Sequence, residues 1–252
     1  MQLENINVVI TGGASGLGAA TARLFASLGA KVTLIDLNET LGRETADEIG
    51  ARFVAVNVLD EDGIEKALDE AEAASGPLRV LVGCAGIGNG IKTVSRGIPF
   101  PLPEFRRVVE VNLIGTFNVL SKAAARMAQA DLLAEERGVI INTASVAAFD
   151  GQIGQAAYTA SKAGIAGMTL PIARDLADKA IRVVTIAPGL FLTPLMMNLP
   201  EPARESLGRQ APFPSRLGHP SEYALLARAI VENPMLYGET IRLDGAIRMA
   251  PR

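Results

Sequence analysis

The sequence predicts an α/β domain: a doubly wound parallel sheet of about seven strands with helices on both faces, formed as one unit over residues 1–252. Three observations carry this prediction. Short β-branched runs recur along the chain, Ala-rich stretches with helical periodicity alternate with them, and Gly-rich or polar residues follow run after run. Strand and helix in alternation require right-handed crossovers and a parallel sheet covered on both sides.

Taken in order, the run Val8–Thr11 leads into Thr11-Gly-Gly-Ala-Ser-Gly-Leu-Gly18 and a helical stretch over Ala19–Leu28. Val32–Asp36 ends on an acid, and Phe53–Val56 is followed by Asn57 and a helical stretch over Gly63–Ala74. Val80–Val82 runs into Gly83-Cys-Ala-Gly86, and one long helix is expected from Phe105 to Ala130. Val139–Asn142 leads to Ser145, a helix is expected over Ala156–Leu176, Val183–Ile186 leads to Pro188-Gly189, and Thr240–Leu243 is the last run. Apolar runs without polar alternation read as strands buried on both faces. In such sheets ligands bind beyond the carboxyl ends of the strands, where the strand order reverses, which is where the polar residues fall here.

Bulk properties exclude several classes. A chain of 252 residues is long enough to bury a substantial core, and no linker, repeat or low-complexity tract divides it. The formal net charge is −3 with Lys and Arg scattered along the sequence, so no electrostatic footprint for nucleic acid is present. No apolar run approaches the ~18 residues of a membrane span, and the first residues run straight into a strand-like segment, so a cytoplasmic protein is expected. Cys84 and His219 are the only cysteine and histidine. An internal disulfide, a multi-cysteine metal site and a Ser-His-Asp hydrolase are therefore excluded, and no metal is expected.

The glycine turn and Asp36 point to a dinucleotide. Gly12, Gly16 and Gly18 lie between a first strand and a first helix, where Gly permits a tight turn and close approach of the backbone to a pyrophosphate. The helix starting near Leu17 would aim its free amides and dipole at those phosphates, as in Rossmann-type domains. A carboxylate at the end of the second strand accepts hydrogen bonds from ribose hydroxyls and repels a 2′-phosphate. Asp36, with uncharged Ser15 and Leu37 nearby, therefore favours NAD over NADP.

Tyr158 and Lys162, four apart in Tyr158-Thr-Ala-Ser-Lys162, share one face of a helix, with Ser145 upstream. An ammonium about 4 Å from a phenol contributes roughly 4 kcal/mol at an effective dielectric of about 20, enough to bring a Tyr towards neutral pH before desolvation is counted. That spacing alone also describes an ordinary surface pair.

With the glycine turn, Asp36, Asn112, Ser145, Tyr158 and Lys162 in this order, the chain resembles the short-chain dehydrogenase/reductase family from end to end. Within it, the stretches Ile10–Gly18, Val111–Val119, Gly138–Phe149, Gly167–Leu176, Thr185–Phe191, Pro212–Gly218 and Ile241–Met249 resemble the type-2 3-hydroxyacyl-CoA dehydrogenases, a group also associated with 17β-hydroxysteroids. The resemblance implies that Tyr158 is the general base, that Ser145 hydrogen-bonds the substrate oxygen, that Lys162 lowers the phenol pKa and holds the nicotinamide ribose, and that Asn112 anchors a proton-relaying water. It implies further that Gly12, Ser15, Gly16, Leu17, Gly18, Asp36, Asn57, Val58, Cys84, Ala85, Gly86, Pro188, Gly189, Phe191 and Thr193 join Tyr158 and Lys162 in holding NAD. Two positions depart from the family: Asn57 stands where Asp is common, and Gly83 where Asn is usual, so a strand-bracing hydrogen bond is expected to be missing there.

The implied reaction interconverts a short or methyl-branched 3-hydroxyacyl-CoA and its 3-oxo form. A 3-oxoacyl-carrier-protein reductase, a hydroxysteroid dehydrogenase and a nucleotide-binding scaffold are the alternatives. Substrate choice is expected in Val146–Gly154 and in the segment at about 190–217, where Leu192, Leu195, Met196, Met197, Leu199 and Phe213 suit an apolar acyl group. The same residues also suit a lid over the chain's own core. The Ala-rich helices are apolar over more than one stripe, and a homotetramer is expected.

Overall fold

A computed structural model describes residues 1–197 and 200–251, and at Leu195 only the backbone. Of the expected substrate-segment residues, Leu199 and the Leu195 side chain therefore lie outside the described residues.

The elements follow in the order β1 (Asn7–Thr11), α1 (Gly16–Ser27), β2 (Lys31–Asp36), α2 (Glu39–Ile49), β3 (Arg52–Ala55), α3 (Glu61–Ser75), β4 (Leu78–Gly83), and a short hairpin of β5 (Val94–Ser95) and β6 (Ile98–Pro99). Next come α4 (Leu102–Val109), a π-helical turn (Glu110–Ile114), α5 (Gly115–Met127), β7 (Gly138–Thr143), α6 (Ala156–Asp175), β8 (Ile181–Pro188), α7 (Pro194–Met197), α8 (Glu201–Gly208), α9 (Pro220–Glu232) and β9 (Thr240–Leu243). Seven strands pair in the order β3-β2-β1-β4-β7-β8-β9, all parallel. The order reverses between β1 and β4, where Thr11 stands opposite Gly83. That is the crevice in which this architecture places a ligand.

Alternation along the strands fills two cores. Val8 and Ile10 of β1 pack with Phe25 of α1 and with Tyr223, Ala227 and Ile230 of α9 on one face. Val9 packs with Ile64 and Leu68 of α3 and with Leu120 and Met127 of α5 on the other. Both faces being covered explains why the strand sequences lack polar alternation.

The expected long helix over Phe105–Ala130 is interrupted. It forms as α4 and α5 joined by the π turn, which holds the fully buried Asn112. Sequence reading also passed over α2 and α9. In α2, Asn38 accepts from the Leu41 amide at 3.1 Å and Gly50 closes the helix at φ 66, but only Gly42, Thr45 and Ala46 are buried, so its apolar periodicity is weak.

The departure at Gly83 has a structural counterpart. Gly83 pairs in register with Asn142 of β7, whose side-chain oxygen and nitrogen are both buried without a hydrogen-bonding partner. A Cβ at position 83 would meet Asn142 Oδ1 at 3.6 Å, an ordinary contact. Because the φ of Gly83 is not positive, Gly83→Ser is expected to gain about 1 kcal/mol from a hydrogen bond to Asn142 and about 0.4–1 kcal/mol from a stiffer unfolded chain. Thermal denaturation followed by circular dichroism should show a rise of roughly 2–4 °C per kcal/mol. A fall in Tm would mean that the neighbouring side chains cannot admit the hydroxyl.

Candidate active site

Close packing makes the glycine turn. Gly12, at φ +65, lies so near the start of the β4 loop that a Cβ would come within 2.7 Å of the Ala85 nitrogen, and a Cβ at Gly18 would drive into the Gly12 carbonyl oxygen. Helix α1 can therefore start directly against the end of β1. Its N-cap, Ser15, is extended and makes no side-chain capping bond, and no acid occupies the first turn. The first amides of α1 are left for an anionic group, and the dipole favours one there. Thr193 closes this turn from the far side, its Cγ2 3.5 Å from where a Gly16 Cβ would sit.

At the end of β2, Asp36 accepts from the Ala14 amide at 3.1 Å through one oxygen and from the Asn38 amide at 3.0 Å through the other. Each oxygen keeps a lone pair for a further donor. Arg43, on α2, pairs with Glu39 at 3.2 Å and lies over the Phe53 ring. After β3, Asn57 Oδ1 accepts from the Leu59 amide at 3.0 Å, and Val58 is buried with its carbonyl accepting from Asn118 at 2.8 Å. After β4, the Ala85 amide donates to Thr11 Oγ1 at 3.3 Å. A Cβ at Gly86 would sit 3.3 Å from Asn112 Oδ1 and 3.4 Å from Lys162 Nζ, so that glycine keeps a lane open between two polar groups.

Pro188 ends β8, and the Gly189 amide donates to the Leu243 carbonyl at 2.9 Å. Phe191 follows two residues later. Its ring is buried in the core on the α1 and α9 face, against Gly218, so only its main chain is left to face a cofactor. Cys84 is a packing residue, its thiol buried between Tyr223 Oη at 3.6 Å and Thr143 Oγ1 at 3.5 Å; burial pushes the thiol up, with smaller downward pulls from Thr143, Tyr223 and Lys162.

The reactive trio comes together where β7 meets α6. Ser145, two residues past β7, accepts from the Ala147 amide at 3.1 Å and is almost fully buried. Tyr158 lies in the first turns of α6, and its phenol pKa is raised by burial and pulled back down by a hydrogen bond from Ser145. Lys162 Nζ lies 5.8 Å from the Tyr158 ring centroid, on the same side of the helix, and donates to the Thr143 carbonyl at 2.8 Å. Burial lowers its pKa to about 8, against a smaller upward pull from Cys84.

This corrects the expected electrostatics. An ammonium resting directly on the phenol was expected to draw the Tyr towards neutrality, yet in this structure burial dominates both groups and opposes charge on each. Asn112 is held on both sides. Its Oδ1 accepts from the Ile87 amide at 2.7 Å, and its Nδ2 donates to the Ile87 carbonyl at 2.8 Å and to Ser161 Oγ at 3.0 Å. The side chain is thereby engaged in bracing the β4 loop on α6. Ser161 passes the connection to the Tyr158 carbonyl at 2.8 Å. Neither Ser161 nor Thr143 was singled out in the sequence. Ser161 lies inside the Tyr-to-Lys motif and was readable there, whereas Thr143 acts through its main chain and leaves no residue-type signal.

In the expected substrate regions, Val146 and Ala147 are buried, while Phe149, Ile153, Met197 and Phe213 are exposed. Among the described residues no cluster of three or more His, Cys, Asp or Glu is arranged for a metal, and no helix is long and apolar enough to cross a membrane.

Comparison with known proteins agrees with this geometry. A 3-hydroxyacyl-CoA dehydrogenase type-2 from Drosophila melanogaster is 52% identical over 254 residues, covering 99% of this chain and 100% of that one. The Homo sapiens protein of the same name is 54% identical over 254 residues, covering 99% and 97%. The crystal structure of a 3-hydroxyacyl-CoA dehydrogenase type-2 from Mycobacterium avium superposes with a TM-score of 0.95 at 41% identity, covering 98% of both chains. The family model described as short chain dehydrogenase matches residues 6–204. On the sheet order, the cleft and these matches together, the chain belongs to the short-chain dehydrogenase family.

Proposed function

We propose that this protein is an NAD-dependent 3-hydroxyacyl-CoA dehydrogenase, interconverting a short or methyl-branched 3-hydroxyacyl-CoA and the corresponding 3-oxoacyl-CoA. The observation that carries the reading is its likeness, over nearly the full length, to proteins bearing that name. The trio at the end of β7 supports it independently.

The residues in the crevice fit a dinucleotide. The uncapped start of α1 would hold the pyrophosphate, Asp36 the adenosine ribose, and Lys162 the nicotinamide ribose. When bound, the nicotinamide supplies the hydride acceptor; the chain supplies orientation and proton handling. Tyr158 removes the proton from the substrate hydroxyl through its phenol oxygen. Ser145 donates to the same oxygen and fixes its place in the cleft. Lys162, held by the Thr143 carbonyl, keeps its head group fixed at the cleft, where it would hold the nicotinamide ribose. Because burial raises the phenol pKa, oxidation of the alcohol is expected to accelerate as pH rises through the alkaline range, where the phenolate becomes populated.

Leu37 is well exposed and uncharged beside Asp36, which supports NAD over NADP. Ile114 and Phe117, on the π turn and α5, and Leu170 on α6 are about half exposed, which supports a homotetramer built on these helices. We also propose a cytoplasmic location.

Tyr158→Phe is expected to lower turnover by about 10²–10⁴-fold while NADH binding, read by fluorescence titration, stays within a few fold; retained activity would reject Tyr158 as the base. In the reverse direction NADH should outperform NADPH by about tenfold or more, and the opposite preference would overturn the reading of Asp36. Steady-state rates on 3-hydroxybutyryl-CoA, 2-methyl-3-hydroxybutyryl-CoA and hydroxysteroids test the substrate, the CoA thioesters being preferred if the reading holds. Sedimentation velocity is expected to give the mass of four chains, and a monomer would remove the proposed assembly.

A further inference from the structure

The loop from Ser145 to Gln155 connects the two ends of the reactive site, and a side chain from the far edge of the sheet grips its middle. Arg242, on β9, donates through Nη2 to Asp150 Oδ2 at 2.6 Å and through Nε to Asp244 Oδ2 at 2.8 Å. Nη2 also donates to the Ile247 carbonyl at 2.9 Å, and the guanidinium lies 5.3 Å from the centroid of the Phe149 ring. Asp244 is fixed in turn by the Ala246 amide at 2.9 Å.

The tail closes over the same loop. Gln152 Nε2 donates to the Ala250 carbonyl at 2.9 Å, and the Ile153 amide donates to the Pro251 carbonyl at 3.1 Å. On its other side the loop lies flat on α6, because a Cβ at Gly151 would run into the Thr159 side chain, the residue after Tyr158. Phe149 and Ile153 are about half exposed within this braced loop. A bare loop would not keep two such apolar groups in place; one with both edges tied down does.

We propose that Arg242 is a positioning residue for the acyl part of the substrate, holding the Phe149–Ile153 loop in the geometry that presents Phe149 and Ile153 to the acyl chain. The inference rests on the 3-hydroxyacyl-CoA reading and on that loop as a substrate contact. The planar fork of Arg is what the position demands. It serves two carboxylates and a carbonyl while stacking on a ring, which a Lys ammonium cannot do at once. The Arg242 guanidinium binds Asp150, Asp244 and the Ile247 carbonyl and stacks on Phe149, so its removal is expected to act first on the loop and on substrate placement.

The test uses the full chain, saturating NAD and 3-hydroxybutyryl-CoA, with Arg242→Gln, Arg242→Lys, Asp150→Asn and the Gln/Asn double variant. Arg242→Gln is expected to raise KM for the thioester about tenfold with kcat within about threefold and NADH affinity unchanged. Arg242→Lys should restore part of the loss. Asp150→Asn should reproduce the KM shift, and the double variant should be no worse than the more affected single, as one shared contact requires. Should Arg242→Gln fail to fold, Asp150→Asn carries the same expectation. An unchanged KM, a loss of kcat that tracks a falling Tm, or strictly additive effects would overturn the proposal. Absence of thioester turnover by the unmodified protein would instead overturn the activity reading, and it is seen before any variant is made.

Discussion

A buried ammonium needs a fixed partner, and in this protein Lys162 has the carbonyl of Thr143, the last residue of β7. Removing a charge from water costs several kcal/mol unless it is paired or hydrogen-bonded, so the end of β7 and the face of α6 must stay in contact for Lys162 to remain charged. Ser145 lies two residues beyond that carbonyl, and Tyr158 sits one helical turn before Lys162. The single bond between strand and helix therefore sets the distance between the two groups that meet the substrate oxygen. From the opposite face of the sheet, Tyr223 Oη bonds Thr143 Oγ1 at 2.7 Å, so the strand end is held from both sides.

The same burial sets the electrostatic balance of the cleft. A phenol and an ammonium placed four apart on an exposed helix would differ from their usual behaviour only through their mutual charge. Enclosed here, each is penalised for being charged, the phenol pushed up and the ammonium pushed down to about 8. The two shifts draw the ranges of phenol and ammonium apart, by desolvation more than by direct contact. The Ser145 hydroxyl offsets part of the penalty on the phenol, which gives it an electrostatic role beside its role in orientation.

Much of this was legible in the sequence, and what was not has identifiable causes. Doubly buried strands announce themselves as unbroken apolar runs, and the crevice announces itself because glycines and polar residues collect after those runs. Helix α9 was equally readable, since Tyr223, Ala224, Ala227, Ile230 and Val231 fall on one helical stripe. Helix α2 was not, because its buried face is made of Gly42, Thr45 and Ala46, which carry almost no hydropathy contrast. The family resemblance put Phe191 at the cofactor, and the orientation of its ring, packed in the core against Gly218, was not legible from that. The hold on Lys162 comes from a main-chain oxygen, and every residue has one.

Asn112 sits in a π turn, where one residue more than a regular helix requires is accommodated between α4 and α5. Each residue of a helix advances the chain by about 100° around its axis. Deleting one residue between Glu110 and Ile114 would regularise the helix and turn everything after it by that amount. Either Asn112 would leave Ile87 and Ser161, or Val119, Leu120, Ala123 and Met127 would rotate out of the core. The segment is thus a phase-locked splice between a polar brace and an apolar stripe, and its length is as constrained as its composition.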